Sequence, residues 1–285
     1  RYLSTPSLMR WMRRRRRPLI GWGLGAPLAE SDRAGLEKAI WQRFITRFDA
    51  LIAYSQRGAA QYARLGFAPQ RIVVAPNAVA ARPLQPPPQR PAQFQTDRPR
   101  VLYVGRLQAR KRVDLLLHAC ANLPQQVQPE VWIVGDGPVR GELEALAERI
   151  YPHTRFWGAL FGSDLEPLFQ QADLFVLPGS GGLAVQQAMA YALPVVVGEA
   201  DGTQSELVTE QNGWLLPPGD VAALRDTLYD ALSEPTRLRR MGLVSYQIVR
   251  ERVNLEAMVD AFTRAVELAA SHCGYPLQRA NPGGD

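Results

Sequence analysis

Arg106 and Lys111 stand five residues apart, just past the strand-like run Arg100-Val-Leu-Tyr-Val-Gly105. Two cations over one strand end can grip a diphosphate, arginine through a bidentate fork and lysine as a point charge. The same pair also reads as two solvated bases in a loop, and taken alone it leaves both readings open. A second candidate is Gly179-Ser-Gly-Gly-Leu183, between the apolar run Leu-Phe-Val-Leu177 and an amphipathic helical stretch. Glycines there let a ligand approach the backbone, and the start of a helix offers unpaired N–H groups to phosphate oxygens. Val134-Gly-Asp-Gly-Pro138 closes another strand. Its glycine spacing does not fit a dinucleotide fingerprint, and a tight turn with Pro138 at the first helical position explains it. Phe156-Trp-Gly158 ends a third strand. There the backbone of Trp157 and Gly158 can meet a nucleobase edge, or the ring simply packs.

These turns need strands to aim them. Apolar runs at 18–25, 50–55 and 71–75 predict three strands in the first part of the chain. Helices are predicted over 5–17, 31–48 and 56–65, the second with Ser31 as N-cap and Leu36, Ile40, Phe44 and Phe48 on its apolar face. Residues 83–98 are rich in proline and lack an apolar period, which predicts a stiff, extended linker. Beyond it strands at 100–105, 130–135, 154–158, 174–177, 194–197 and 213–216 alternate with helices, and 221–232 and 235–267 are mostly helical. That rhythm predicts an α/β fold, a parallel sheet with helices on both faces. The expected organisation is an incomplete Rossmann-like domain over 1–82, the linker over 83–98, a complete Rossmann-like domain over 99–270 with a final helix crossing back, and a loose tail over 271–285. The first domain has too few strands to close a doubly wound sheet. Together with a chain that opens on Arg1, this makes an N-terminal truncation the expectation.

The composition, 46% hydrophobic and 21% charged, is that of a globular protein, and no apolar stretch approaches the roughly 20 residues that span a bilayer. Cys120 sits in a helical pattern and Cys273 in the tail, so no disulfide is expected and a reducing cytoplasm suits the chain. The net charge of +6 invites a nucleic-acid reading, but much of it is one block, Arg13, Arg14, Arg15, Arg16 and Arg17. A local block at one end, with no recognition module, argues against nucleic acid. It reads either as a solvated helix end or as a contact to anionic head groups on the inner face of a membrane.

In their order and spacing these segments resemble the nucleotide-sugar-binding domain of glycosyltransferase family 4, which has the GT-B fold. The resemblance covers residues 99 to about 267, and residues 18–79 look like the last part of that family's acceptor domain. Gly105-Arg-Leu107 with Lys111 matches the segment that binds the donor diphosphate in the family. Val134-Gly-Asp-Gly-Pro138 is a family hallmark. Asn212 with Gly213-Trp-Leu-Leu-Pro217 resembles an Asn-Gly-Leu-Leu-Pro stretch, and Pro76-Asn-Ala-Val79 resembles the family's hinge.

The resemblance implies a retaining, hexosyltransferase-type enzyme of polysaccharide or cell-envelope biosynthesis. It would take a nucleoside-diphosphate sugar as donor and a hydroxyl of a glycan or lipid-linked molecule as acceptor, with no metal cofactor. It assigns Gly105, Arg106 and Lys111 to the diphosphate, and Ser180, Gly181, Gly182 and Leu183 to a cradle for sugar and phosphate. Gln187 goes to the ribose, and Trp157 and Gly158 to the base. The departure lies in two glutamates that the family usually carries, for which this chain has Gly179 and Gln187. Gln187 can still exchange hydrogen bonds with a ribose hydroxyl. Gly179 offers only backbone. Their loss fits an altered donor, and it equally fits a non-catalytic scaffold that binds nucleotide sugars. None of His118, His153 and His272 falls where the family places its histidine, so no catalytic base or nucleophile is assigned.

Overall fold

The computed structural model describes residues 5–25, 34–200 and 203–276, so the cap expected at Ser31 lies outside the described residues. The chain divides into two compact units, residues 1–77 with 256–285, and residues 78–255.

The first unit contains α1 (Thr5–Arg14), β1 (Ile20–Gly23), α2 (Ala34–Ile45), β2 (Ala50–Ala53), α3 (Gln56–Arg64), β3 (Ile72–Val74) and the last helix of the chain, α11 (Leu255–Cys273). Among the described residues its three strands are parallel, in the order β1-β2-β3. Ala261 and Ala265 of α11 pack on Ile52, Val73 and Ala75, and these small side chains let the helix lie close to the sheet. On the other core, Ile45, Leu51, Tyr62, Leu65 and Phe67 are buried, with Trp41, Phe44 and Phe48 against them. Ile40, expected on the buried face of α2, is 61% exposed. The inward stripe is Trp41, Phe44, Ile45 and Phe48, which follows the i, i+3, i+4, i+7 spacing of a helix face better than strict fours do.

The second unit runs β4 (Arg100–Val104), α4 (Val113–Ala121), β5 (Glu130–Val134), α5 (Arg140–Ile150), β6 (Thr154–Gly158), α6 (Glu166–Gln171), β7 (Leu174–Leu177), α7 (Ala184–Ala190), β8 (Val195–Gly198), α8 (Gln204–Leu207), β9 (Gly213–Leu216), α9 (Val221–Ser233) and α10 (Pro235–Glu251). Its six strands are all parallel, in the order β6-β5-β4-β7-β8-β9. Every residue of β7 and β8 is buried, as strands covered on both faces require. The order reverses between β4 and β7, and open α/β sheets bind ligands at the carboxyl ends of strands beside such a switch.

The proline-rich segment 83–98 lies on this second unit as a strap. The Arg90 guanidinium donates to the carbonyls of Phe169 and Ala172 at the end of α6, and of Tyr191 and Ala192 at the end of α7, at 2.8–3.2 Å. Burial, followed by the nearby Arg239 charge, pulls its pKa down to about 10. Arg239 donates to the Pro91 carbonyl (2.8 Å) and to Asp173 (2.7 Å), and the Tyr246 hydroxyl donates to the Gln85 carbonyl. Prolines cannot donate to a sheet. The strap is held instead through its carbonyls, by Arg90, and by Arg98, which donates to the Gln128 carbonyl at 3.2 Å.

The helical stretch predicted over 235–267 breaks between α10 and α11, where buried Asn254 donates to the carbonyls of Val249 and Arg250. α11 runs on to Cys273, placing that cysteine on a helix rather than in a loose tail, and residues 277–285 lie outside the described residues. Both cysteines are free.

Candidate functional site

The loops that follow β4 and β7 meet backbone to backbone at the switch. The Ser180 N–H donates to the Arg110 carbonyl at 3.1 Å. A Cβ built on Gly179 would stand 2.3 Å from that carbonyl oxygen and 2.4 Å from the Lys111 carbonyl carbon, so only glycine fits. Lys111 closes a short 3-10 turn, Ala109–Lys111, and its side chain turns inward. Its Nζ donates to the carbonyls of Ser180 (2.6 Å) and Gly181 (2.7 Å). Burial, and after it the Arg110 charge, lower its pKa below the ordinary lysine value. Arg110 is exposed and donates from Nη1 to the Ser180 hydroxyl (3.2 Å) and from Nε to the Gln108 side chain (3.1 Å). Arg106 is exposed, and its side chain has no hydrogen bond or ion pair among the described residues. Gly105 donates to the Val134 carbonyl, and its own carbonyl lies against Gly135, whose positive φ lets the two strand ends touch.

The turn leads directly into α7. Gln187 is half-buried, and its side chain lines a cavity of about 560 Å³ with Leu84, Leu165, Phe169, Tyr191 and Tyr246. Its neighbour Gln186 is buried and accepts a hydrogen bond from the Val79 N–H at 3.1 Å. The two glutamines thus face different tasks, one held on the hinge-like segment and one open to a cavity.

At the other side of β4, the Asp136 carboxylate accepts from the Gly137 N–H (2.6 Å) and pairs with Arg140, closing the Gly-Asp-Gly turn on itself. The ladder between β5 and β6 slips at Val134, which pairs with Gly158 and skips Trp157. The Trp157 ring sets its edge on Trp132 (centroids 5.6 Å apart) and carries the Arg155 guanidinium on its face at 3.8 Å. The Gly158 carbonyl accepts from the Gly135 N–H at 2.7 Å.

Of the residues singled out in the sequence, Lys111, Ser180 and Gly181 are joined directly, and Gly179 is wedged beside them. Among the described residues, no hydrogen bond, ion pair or ring contact ties the Gln187 side chain or the Trp157 ring to that cluster. Arg110 escaped the sequence reading because it sits inside the run Arg110-Lys-Arg112, where three bases look alike. Among the described residues, no group of three or more His, Cys, Asp and Glu is placed to hold a metal ion.

Residues 98–234, which hold all of this cluster, match the family model described as glycosyl transferases group 1. Over these residues the chain is similar to the group 1 glycosyltransferases. Sulfoquinovosyl transferase SQD2 of Arabidopsis thaliana is 33% identical over 144 residues, covering 47% of this chain and 27% of that protein. A GDP-mannose-dependent alpha-(1-6)-phosphatidylinositol monomannoside mannosyltransferase of Mycolicibacterium smegmatis is 29% identical over 160 residues, covering 52% and 42%. The chain thus spans less than half the length of either curated relative. Among solved structures, Alr3699/HepE of Anabaena in complex with UDP superposes with a TM-score of 0.71 at 21% identity, over 92% of this chain and 75% of that one. The fold is GT-B in type, as the resemblance to glycosyltransferase family 4 led one to expect.

Proposed function

We propose that this group 1 glycosyltransferase relative moves a sugar from a nucleoside-diphosphate sugar to a hydroxyl of a glycan or lipid-linked acceptor, with retention at the anomeric carbon and without a metal cofactor. The observation that carries the reading is the zipper at the switch point, where a glycine turn is locked to a cation-rich turn. Departure of a nucleoside diphosphate builds negative charge at that place, and fixed cations and N–H dipoles there stabilise it. In this reading Gly105 and Arg106 form the diphosphate end with Lys111 beneath it, and Ser180, Gly181, Gly182 and Leu183 cradle phosphate and sugar. Gln187 meets the ribose from the rim of its cavity, and the Trp157–Gly158 strand end borders the base. The UDP complex of the Anabaena protein and the GDP-mannose dependence of the mycobacterial relative support a nucleotide ligand.

The acceptor side of the proposal rests on α1. Leu8 and Trp11 are 58% and 49% exposed on one side of this helix, and Arg13, Arg14, Arg15, Arg16 and Arg17 are exposed at its end. An apolar pair beside a basic block suits peripheral contact with an anionic, cytoplasm-facing membrane surface that carries lipid-linked acceptors. No helix among the described residues is long and apolar enough to cross a membrane. Flotation with anionic liposomes is expected to carry the protein and to lose it when these arginines become glutamine. Flotation that persists in the variant removes this contact.

A non-catalytic scaffold is the second reading, favoured by the closed backbone contact at Gly179. Calorimetry with uridine and guanosine diphosphate, followed by a donor-consumption assay, separates the two. Binding that weakens in Arg106→Ala, with donor turnover, supports the transferase. Binding without turnover supports the scaffold, and no binding of either nucleotide removes both.

A further inference from the structure

We infer that Arg110 is a direct ligand of the donor's terminal phosphate, and that Lys111 is a positioning residue which holds the glycine turn for it. This rests on the reading of the turn as a nucleoside-diphosphate site. An ammonium has three donors. Lys111 directs two of them to consecutive backbone carbonyls, those of Ser180 and Gly181, and its side chain is buried beneath the turn.

A trans peptide is planar, with its N–H opposite its C=O. Pulling the Ser180 and Gly181 carbonyls toward Lys111 therefore points the N–H groups of Gly181 and Gly182 away from it. Neither N–H donates to another group among the described residues. Lys111 thus fixes a pair of outward N–H groups, which is what a phosphate oxygen needs, while its own charge stays behind the turn.

Arg110 stands on the exposed side. Its guanidinium has five N–H donors, and only two bonds are made, to Gln108 and to the Ser180 hydroxyl. The Ser180 bond holds the guanidinium at the turn and leaves donors in its fork free. Planar, bidentate recognition of phosphate is the task arginine does better than lysine. Arg110 is thus the cation placed to discriminate a diphosphate from a monophosphate.

The test uses the full chain and calorimetric titration with uridine and guanosine mono- and diphosphates. For Arg110→Gln the preference for diphosphate over monophosphate is expected to shrink by about tenfold or more, the worth of a charge-assisted hydrogen bond. For Lys111→Met both affinities fall by a similar factor and the preference stays. In the unliganded protein, the amide order parameters of Gly181 and Gly182 fall in Lys111→Met and stay at the wild-type value in Arg110→Gln. Lys111→Gln, a neutral donor, recovers part of the lost order. An unchanged preference in Arg110→Gln, or a preference lost in Lys111→Met alone, overturns the assignment while leaving the nucleotide site intact. A wild-type protein that binds none of the four nucleotides overturns the nucleotide reading itself.

Discussion

The two ends of α7 are both held by a cation from a distant part of the chain, and the two grips differ in kind. At the carboxyl end, Arg90 joins carbonyls of α6 and α7, so one guanidinium caps two helices together. At the amino end, Lys111 holds carbonyls that precede the helix, in a turn whose N–H groups face outward. The first grip ends in the interior. The second leaves donors and a neighbouring exposed arginine at the surface. A buried cation bonded to backbone is therefore a structural device at one end and a means of presenting a ligand site at the other.

This contrast is open to attack from its strongest support downward. Asp173 accepts from Arg239 and from the Arg100 N–H, and the pair is nearly closed to solvent. Asp173→Ala is expected to destabilise the protein by about 3–5 kcal/mol, because it leaves a buried guanidinium unpaired beside Arg90. Chemical denaturation measures this loss. Arg90→Met is expected to lose about 1–3 kcal/mol, since several helix-end carbonyls lose their donor. Its nucleotide affinity, measured on folded protein, should move far less than in the Lys111 variants, and an equal loss would erase the difference between the two ends. Gly179→Ala forces the two loops apart at a cost of about 1–3 kcal/mol. There the expected signature is the reverse, a larger fall in diphosphate affinity than in thermal stability. Trp157→Phe should be the mildest change, with nucleotide affinity within about twofold of wild type, because the ring is engaged by Trp132 and Arg155.

The strands were legible because parallel strands buried on both faces leave continuous apolar runs, and every run except that of β2, which passes into Tyr54-Ser55, ends at or just before a glycine or proline. The glycine turn after β7 and the cations after β4 were legible by residue type. Their joining was not, since Lys111 and Ser180 lie far apart in sequence and nothing local says that a lysine will bond carbonyls in place of a ligand. The strap shows the same limit. Proline content describes the local stiffness of residues 83–98, but where the segment lies is decided by Arg90 meeting helix ends that the chain reaches only much later. At α2 the error was one of phase: Ile40 and Trp41 are neighbours, and only packing against Leu51 and Phe67 selects the second.

Gly179 carries a consequence for engineering. A side chain there strikes main chain, which cannot swing aside as a rotamer can. An acidic side chain therefore cannot be placed at position 179 by exchanging one residue for another while the 109–111 turn stays where it is. The route runs through added length, an insertion that lifts the loop off its neighbour before a carboxylate arrives. Anyone seeking a carboxylate at this position of the chain would have to graft a longer loop.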